Sequence, residues 1–551
     1  MKPLPWMFLL FVSQVSHASA SEWPIATDSA PTQWSVARDE NIAWKITLPE
    51  TGQNTPVVDG DRVYFSTMKP VDSDSQLGSD IVVWCCDANS GDVLWKRDIA
   101  AEYPLRLSGC FGDSTSPPAV SDGERVVFIN ASGKIVCFDR SGTPLWSKKI
   151  LSVSRTLPFH RDGQFVFTRQ VYPPEPDGNF GHQYADSPLP MWTQLQSLDI
   201  TTGEVVWTSE CGVNMGCAVM PQKRNDGRDV AVVGRGGGHG PPEKPDGVSL
   251  VDLRDGRTLW SLELPEFMAT QSFRVRDDEV HLFHKDEHLT IDAHSGQIVR
   301  RNSILKDVSV RKWNDGTRVT QTETIPGKSS RMITQTSNLL IGSYHYFRSY
   351  TRPYLGRVQV ETGAVEYLEL PLQLSRAPGK PDSYGWFQPP KNKKEPPPST
   401  VRPLSGGKTR SGSRQDFRES PNKSKLLTSS ATSVMVPKGL NEQAIAANEV
   451  KNSRGFVVMG DKRSAGNGWG HIAAPTPSVA GPHLYVPVMN GTVYVIDWNA
   501  AKLDELAVIA INDLGPAGES YTRASLSFGK DRIFAHTIRE LICIGLDAPV
   551  K

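Results

Sequence analysis

Apolar and polar residues alternate along this chain in short runs, and each run stops at a turn signal. Thr55-Pro-Val-Val-Asp-Gly60-Asp-Arg-Val-Tyr-Phe65 sets Val57, Val58, Val63 and Phe65 on two strands around an Asp-Gly turn. A third run covers 81–87, and after a glycine turn a fourth carries Trp95. The same order returns through Asp122-Gly123, 125–128, 134–139 and Trp146. It returns again through 161–167 and 195–207, and through 229–233 and 247–260. Four copies place tryptophan four residues after a turn glycine, with an aspartate three or four residues before that glycine: Asp87, Gly91, Trp95; Asp139, Gly142, Trp146; Asp199, Gly203, Trp207; Asp252, Gly256, Trp260. Looser copies follow at 278–296 and 337–363, the pattern is sharp again at 476–497, and a last copy covers 524–544. The last copy supplies three strands and no fourth, while 41–47 near the start is an orphan strand with Trp44 in the matching place. The pattern predicts an all-β, eight-bladed β-propeller over 41–547, closed by pairing its N- and C-terminal strands so that no edge is left open.

The residue types explain the spacing. Glycine permits the left-handed turn between third and fourth strands. Trp44, Trp95, Trp146, Trp207 and Trp260 each bring roughly 200 Å² of ring, and they are expected to fill the seams between neighbouring blades. These Asp/Gly/Trp repeats resemble the PQQ-like (quinoprotein-type) β-propeller repeats. The resemblance covers most of 41–547 and thins across 278–363. It implies the propeller fold and two kinds of activity, since that family holds pyrroloquinoline-quinone (PQQ) dehydrogenases and non-catalytic scaffolds such as the lipoprotein that helps assemble outer-membrane barrels. Residues 1–20 lack that lipoprotein's attachment cysteine.

Composition adds location. Lys2, the apolar run 6–15 and Ala18-Ser19-Ala20 read as a secretory signal peptide over 1–20, with a mature start near Ser21. The run is shorter than the ~20 apolar residues of a membrane span, and no second span follows. The chain is therefore expected to be exported, periplasmic or secreted. Sixty basic residues balance sixty acidic ones, which gives no global footprint for a specific nucleic acid. One segment departs from this balance. Residues 389–450 form a low-complexity basic insertion within the propeller, and 391–425 hold ten Lys/Arg against three Asp/Glu. It reads as a solvated loop able to make an electrostatic contact, with a short helix expected over 438–450.

PQQ with Ca²⁺ would need an aromatic face, cations for its carboxylates, a hard-cation site and a carboxylate base. The resemblance makes Cys85-Cys86 a candidate vicinal disulfide, yet neighbours in a strand point to opposite faces. His281, His284 and His288 would suit a metal on a helix, but a strand sends His281 and His284 apart. The glycine-rich 234–240 lacks a phosphate loop's Lys-Ser/Thr ending. The remaining reading is a binding scaffold. Loops entering each innermost strand gather at the channel mouth, and they supply Gln53, Asn54, Asp113, Asn214, Gln271, Trp469, His471, Tyr521 and Arg523. No catalytic residue and no metal ligand is assigned. The expected function is an exported scaffold for an envelope or extracellular protein or polymer, with a PQQ-dependent alcohol or sugar dehydrogenase as the alternative.

Overall fold

The structure, a computed structural model, describes residues 25–27, 29–71, 78–104, 113–151, 157–169, 192–214, 216–236, 244–314, 317–326, 338–349, 352–370, 469, 474–515, 520–529 and 531–545, together with the backbone of short strands between 374 and 460. Eight four-stranded antiparallel units make an eight-bladed propeller, and no α-helix occurs among the described residues. Blade 1 is Val57–Asp59, Arg62–Met68, Ile81–Asp87 and Val93–Ile99, from the innermost strand outward. Blades 2 to 5 repeat this order through Lys149, Thr208, Glu263 and Ser303. Blade 8 takes Ser527–Gly529, Arg532–His536 and Glu540–Ile544 from the C-terminal end and Ile42–Thr47 from the N-terminal end. That last pairing runs antiparallel, with Trp44 opposite Cys543. The expected ring closure is therefore present.

The Gly-x-x-x-Trp spacing encodes a bulge. In seven of the eight blades the outermost strand slips register just before the tryptophan position. In blade 1, Val93 faces Cys86 and Trp95 faces Cys85, so Leu94 is the unpaired residue. The bulge turns that residue outward and leaves Leu94 46% exposed, as it does Leu145, Val206 and Val299 in their blades. The same twist drives the indole into the next blade. Trp44 donates Nε1 to Ala88 O and Trp95 donates to Arg140 O, at 3.2 and 2.9 Å. The ring then lies over the turn glycine of that next blade. A Cβ on Gly91 would stand 2.8 Å from Trp44, and one on Gly142 2.7 Å from Trp95, so both positions need glycine for space as well as for positive φ. Trp146 and Trp260 follow suit, donating to Ile200 O and Ala293 O. Trp207 packs over Gly256 in the same way but turns its N–H to Gln164 of its own blade.

Where the repeat loosens, other groups occupy the seam. Arg300 stands in the tryptophan position of blade 5 and donates to Val360 O, the matching carbonyl of blade 6. Blade 6, Leu339–Ile341, Tyr344–Arg348, Tyr354–Gln359 and Val365–Glu369, has Tyr367 there and no bulge. Its outer edge gains a hairpin that the repeat does not predict, Val308–Asn314 and Thr317–Glu323, joined by a parallel pairing to Val365–Glu369. Arg311 of that hairpin donates through Nε to Glu505 Oε2 at 2.7 Å and so ties it to blade 7.

Blade 7, Ser478–Ala480, His483–Pro487, Thr492–Asp497 and Val508–Asp513, places only Ala510 opposite Val495 where an indole is due. The missing ring comes from the N-terminal arm. Trp34 is 2% exposed and stacks on Tyr485 at 6.5 Å, among Ala510, Leu526 and Phe528. Its Nε1 donates to Asp513 O at 2.9 Å. The buried Asp513 carboxylate accepts from Ser35 Oγ and from the Ala37 and Gly515 backbone N–H groups. Before this wedge, Ile25–Thr27 lies parallel to Ser478–Ala480 on the inner edge of blade 7.

Most of 389–450 lies outside the described residues, and so does the signal-peptide stretch 1–20. Of the helix expected over 438–450, the described backbone at Glu449 and Val450 is strand instead, paired with Val457–Gly460.

Trp34 predicts its own test. Trp34→Ala should lower unfolding stability by about 3–5 kcal/mol, as a buried indole truncation does. A urea midpoint indistinguishable from the parent would show that the arm is not part of the cooperative fold.

Candidate binding rim

The direction of the strands defines two ends of the ring. Innermost strands run from the mouth into turns such as Asp59-Gly60-Asp61, and second strands return toward the mouth. The mouth is thus built from the loops before each innermost strand.

Three of the sequence-selected residues meet there. Gln53 N donates to Thr115 Oγ1 at 2.9 Å, and Arg523 Nη1 donates to Gln53 Oε1 at 2.9 Å. Asp113, 6% exposed, accepts from the Thr115 backbone N–H at 2.8 Å and from its hydroxyl. Burial pushes the Asp113 carboxyl up, while the Thr115 bonds and the Arg523 charge oppose that rise. One network therefore joins loops of blades 1, 2 and 8. Gln53 and Arg523 remain partly exposed at its edge.

The other selected residues are placed inside. Asn54 is fully buried and donates to Ser66 Oγ at 2.9 Å. Asn214 donates to Gly236 O and accepts from Gly216 N. Gln271 exchanges both amide groups with Phe283 of the neighbouring strand, at 2.9 and 3.1 Å. These side chains satisfy loop backbones that would otherwise be orphaned. Trp469 is 2% exposed, packed edge-on to Tyr494 with the Arg348 guanidinium 5.0 Å over its ring. Tyr521 is buried, with its hydroxyl 3.7 Å from Met489 Sδ. His471 lies outside the described residues, as do Met215 and Cys110.

The cofactor candidates can be tested against this geometry. Cys85 and Cys86 sit on opposite faces of one strand, in two different blade seams, and both are free thiols. Burial pushes Cys85 up to about 11 and Cys86 up to about 12, so neither is a thiolate at neutral pH. Among the described residues, no group of three His, Cys, Asp or Glu could hold a metal ion. Trp469 already carries Arg348 against its ring.

The histidines cluster, though not as metal ligands. His281 and His288 stack at 5.6 Å, His288 Nε2 lies 3.0 Å from His345 Nδ1, and His345 Nε2 lies 2.9 Å from Asn338 Oδ1. His284 points to the other face, against Phe267. Sequence reading missed His345 because it comes from blade 6, 57 residues from His288. It also missed Arg169 and Arg348. Both end second strands at the mouth, a position that stacking the repeats in register would have picked out.

Fold and mouth together define a closed repeat propeller whose loop rim is fixed by buried polar side chains. A family model described as outer membrane protein assembly factor BamB matches residues 26–108 and 79–366. These overlapping stretches span more than half of the chain, and the chain belongs to this PQQ-like β-propeller family. Similar solved structures include BamB from Moraxella catarrhalis, with 11% identity, 93% of this chain and 98% of that chain covered, and a TM-score of 0.44. Quinohemoprotein alcohol dehydrogenase from Comamonas testosteroni is 12% identical over 98% of this chain and 82% of its own, with a TM-score of 0.49. The computationally designed Ika8 protein is 12% identical over 91% and 98%, with a TM-score of 0.42. A comparison with curated proteins gives no match.

The histidine seam makes stability depend on pH. Burial holds His281 down to about 4 and His288 down to about 3, with nearby arginines adding to the shift, and His345 well below 6.5. The unfolded chain binds these protons near pH 6.5 and the folded chain does not. Stability is thus complete above pH 6.5 and falls as pH drops toward about 4, by about 1.4 kcal/mol per pH unit for each imidazole. Denaturant titrations from pH 7.5 to 4.5 should show this slope, and His288→Gln should flatten it by about one proton. An unchanged slope in that variant would contradict the assignment.

Proposed function

We propose that this chain is an exported interaction scaffold, without catalysis of its own, that holds a partner on the loop rim at the channel mouth. The observation that carries this reading is the network through Gln53, Thr115, Asp113 and Arg523. It locks three loops together and leaves two polar side chains at the accessible edge. A rim held rigid in this way loses little freedom on binding, which favours recognition. The split of Cys85 and Cys86 between two seams supports the scaffold over the dehydrogenase, because their packing is needed on both faces of the strand.

Export rests on the leader-like residues 1–20, and it makes the partner an envelope or extracellular protein or polymer. The basic stretch 391–425 supplies a second, electrostatic contact to that partner. Among the described residues, no helix is long and apolar enough to cross a membrane.

The rim can be tested without touching the core. The double variant Gln53→Ala, Arg523→Ala should lose about tenfold in capture of the parent's partner from envelope extract, with a melting temperature close to the parent's. Undiminished capture would reject the rim as the site. In a separate arm, protein incubated with PQQ and Ca²⁺ should neither acquire the quinone absorbance nor reduce a dye with alcohols or sugars. Turnover there would replace the scaffold reading with the dehydrogenase.

A further inference from the structure

In each blade one cross-strand row ends at the tryptophan position and faces the next blade. In blade 1 the row is Val57, Tyr64, Cys85 and Trp95. In blade 2 it is Val120, Val127, Cys137 and Trp146, and in blade 8 Ser527, Phe534, Cys543 and Trp44. Blade 5 places Arg274, His281, Thr290 and Arg300 in that row. A row that is mostly apolar in those blades is polar here, with a guanidinium at each end.

The imidazoles gather around this row. His288 stacks on His281, and blade 6 adds His345, whose Nδ1 lies 3.0 Å from His288 Nε2. All three rings are buried. Arg274 Nε and Nη2, His281 Nδ1, His288 Nδ1, Thr290 Oγ1 and Asn302 Nδ2 are buried in the same seam without a hydrogen-bond partner, and each is a cost to the closed joint. The nearest charges are chiefly cations. Arg276 and Arg300 act on His281, Arg300 on His288, and Arg274 on His345. The carboxylates at the seam are already engaged. Glu279 lies 3.5 Å from His281 Nε2 but also 3.7 Å from Arg300, while Asp277 and Glu361 hold Arg276 at 3.0 and 3.3 Å. From blade 6, the Tyr367 phenol faces the same seam and donates to Ile304 O. A proton added to any of the three imidazoles thus meets fixed positive charge.

We propose that the joint between blades 5 and 6 is an acid-opened gate in the ring: protons taken up by His281, His288 and His345 part these two blades while the other joints stay closed. Parting one joint of a repeat ring costs less than unfolding the ring, yet it frees all three imidazoles. A partial opening therefore collects the whole gain from protonation. The gate is independent of what the rim binds.

Native thiols supply the controls for its test. Cys85 lies in the seam between blades 1 and 2, Cys137 in that between 2 and 3, and Cys86 and Cys543 in that between 8 and 1. Thr290→Cys, a change of similar volume at a fully buried position, puts a thiol in the seam between 5 and 6. The full mature chain is treated with 4,4′-dithiodipyridine at pH 7.5 and at pH 5.0, and labelling at each cysteine is read by peptide mass spectrometry relative to free cysteine at the same pH. Each imidazole freed by opening multiplies the open population by roughly thirtyfold between these pH values. The Thr290→Cys thiol should therefore label at least about a hundredfold faster at pH 5.0, with Cys85, Cys86, Cys137 and Cys543 still protected. Adding His288→Gln should cut this acid-to-neutral ratio by about thirtyfold, and His281→Gln serves if that variant does not fold. A purely structural effect of either change would raise labelling at both pH values and leave the ratio as it was. Equal labelling of all these seams at pH 5.0 would mean that the whole ring unfolds, and overturns the gate. So does a Thr290→Cys thiol that stays protected at pH 5.0, or a ratio indifferent to the histidine variants.

Discussion

Closure of the ring is the constraint from which the rest follows. Every blade is apolar on both faces, so an open array would expose two faces to water at its ends. The chain prevents this with residues nearly 500 positions apart: Ile42–Thr47 completes the sheet begun by Glu540–Ile544. Strand pairing alone would leave the joint between blades 7 and 8 thin, because Ala510 occupies the tryptophan position there. Trp34 fills that space, and Asp513 holds the arm that carries it. The joint beside the closing blade is thus the one with an extra anchor.

Seam filling is a requirement for volume and one hydrogen-bond donor more than for a given residue. The indoles of Trp44, Trp95, Trp146 and Trp260 meet it. Arg300 meets it with a guanidinium aimed at the equivalent carbonyl. Tyr367 meets it from the other direction, donating to Ile304 O of the preceding connection at 2.5 Å. This tolerance is why the repeat can fade in sequence without loss of the architecture.

The turn end and the mouth end are held rigid by different polar groups. The turns are fixed by aspartates that accept neighbouring backbone N–H groups, as Asp87 does from Asn89 and Ser90. At the mouth, buried amides such as Asn214 and Gln271 do the equivalent work for longer loops. Polar residues there divide into those buried within one loop and those, Gln53 and Arg523, that link loops at the partly exposed edge.

Period, turn chemistry and the Asp/Gly/Trp spacing were enough to determine the blade count, the strand order and the shared eighth blade, because each is a local pattern repeated. Alternation alone also put Cys85 and Cys86 on opposite faces, and likewise His281 and His284. Sequence could not say which mouth residues point inward: Asn54, Gln271 and Trp469 look like rim residues until the neighbouring blade covers them. Nor could it find the blade 6 hairpin, which breaks the period, or the Trp34 wedge, which acts in a seam hundreds of residues away. Burial and charge compensation are properties of neighbours in space. Only tertiary structure decided which arginines met a carboxylate and which did not.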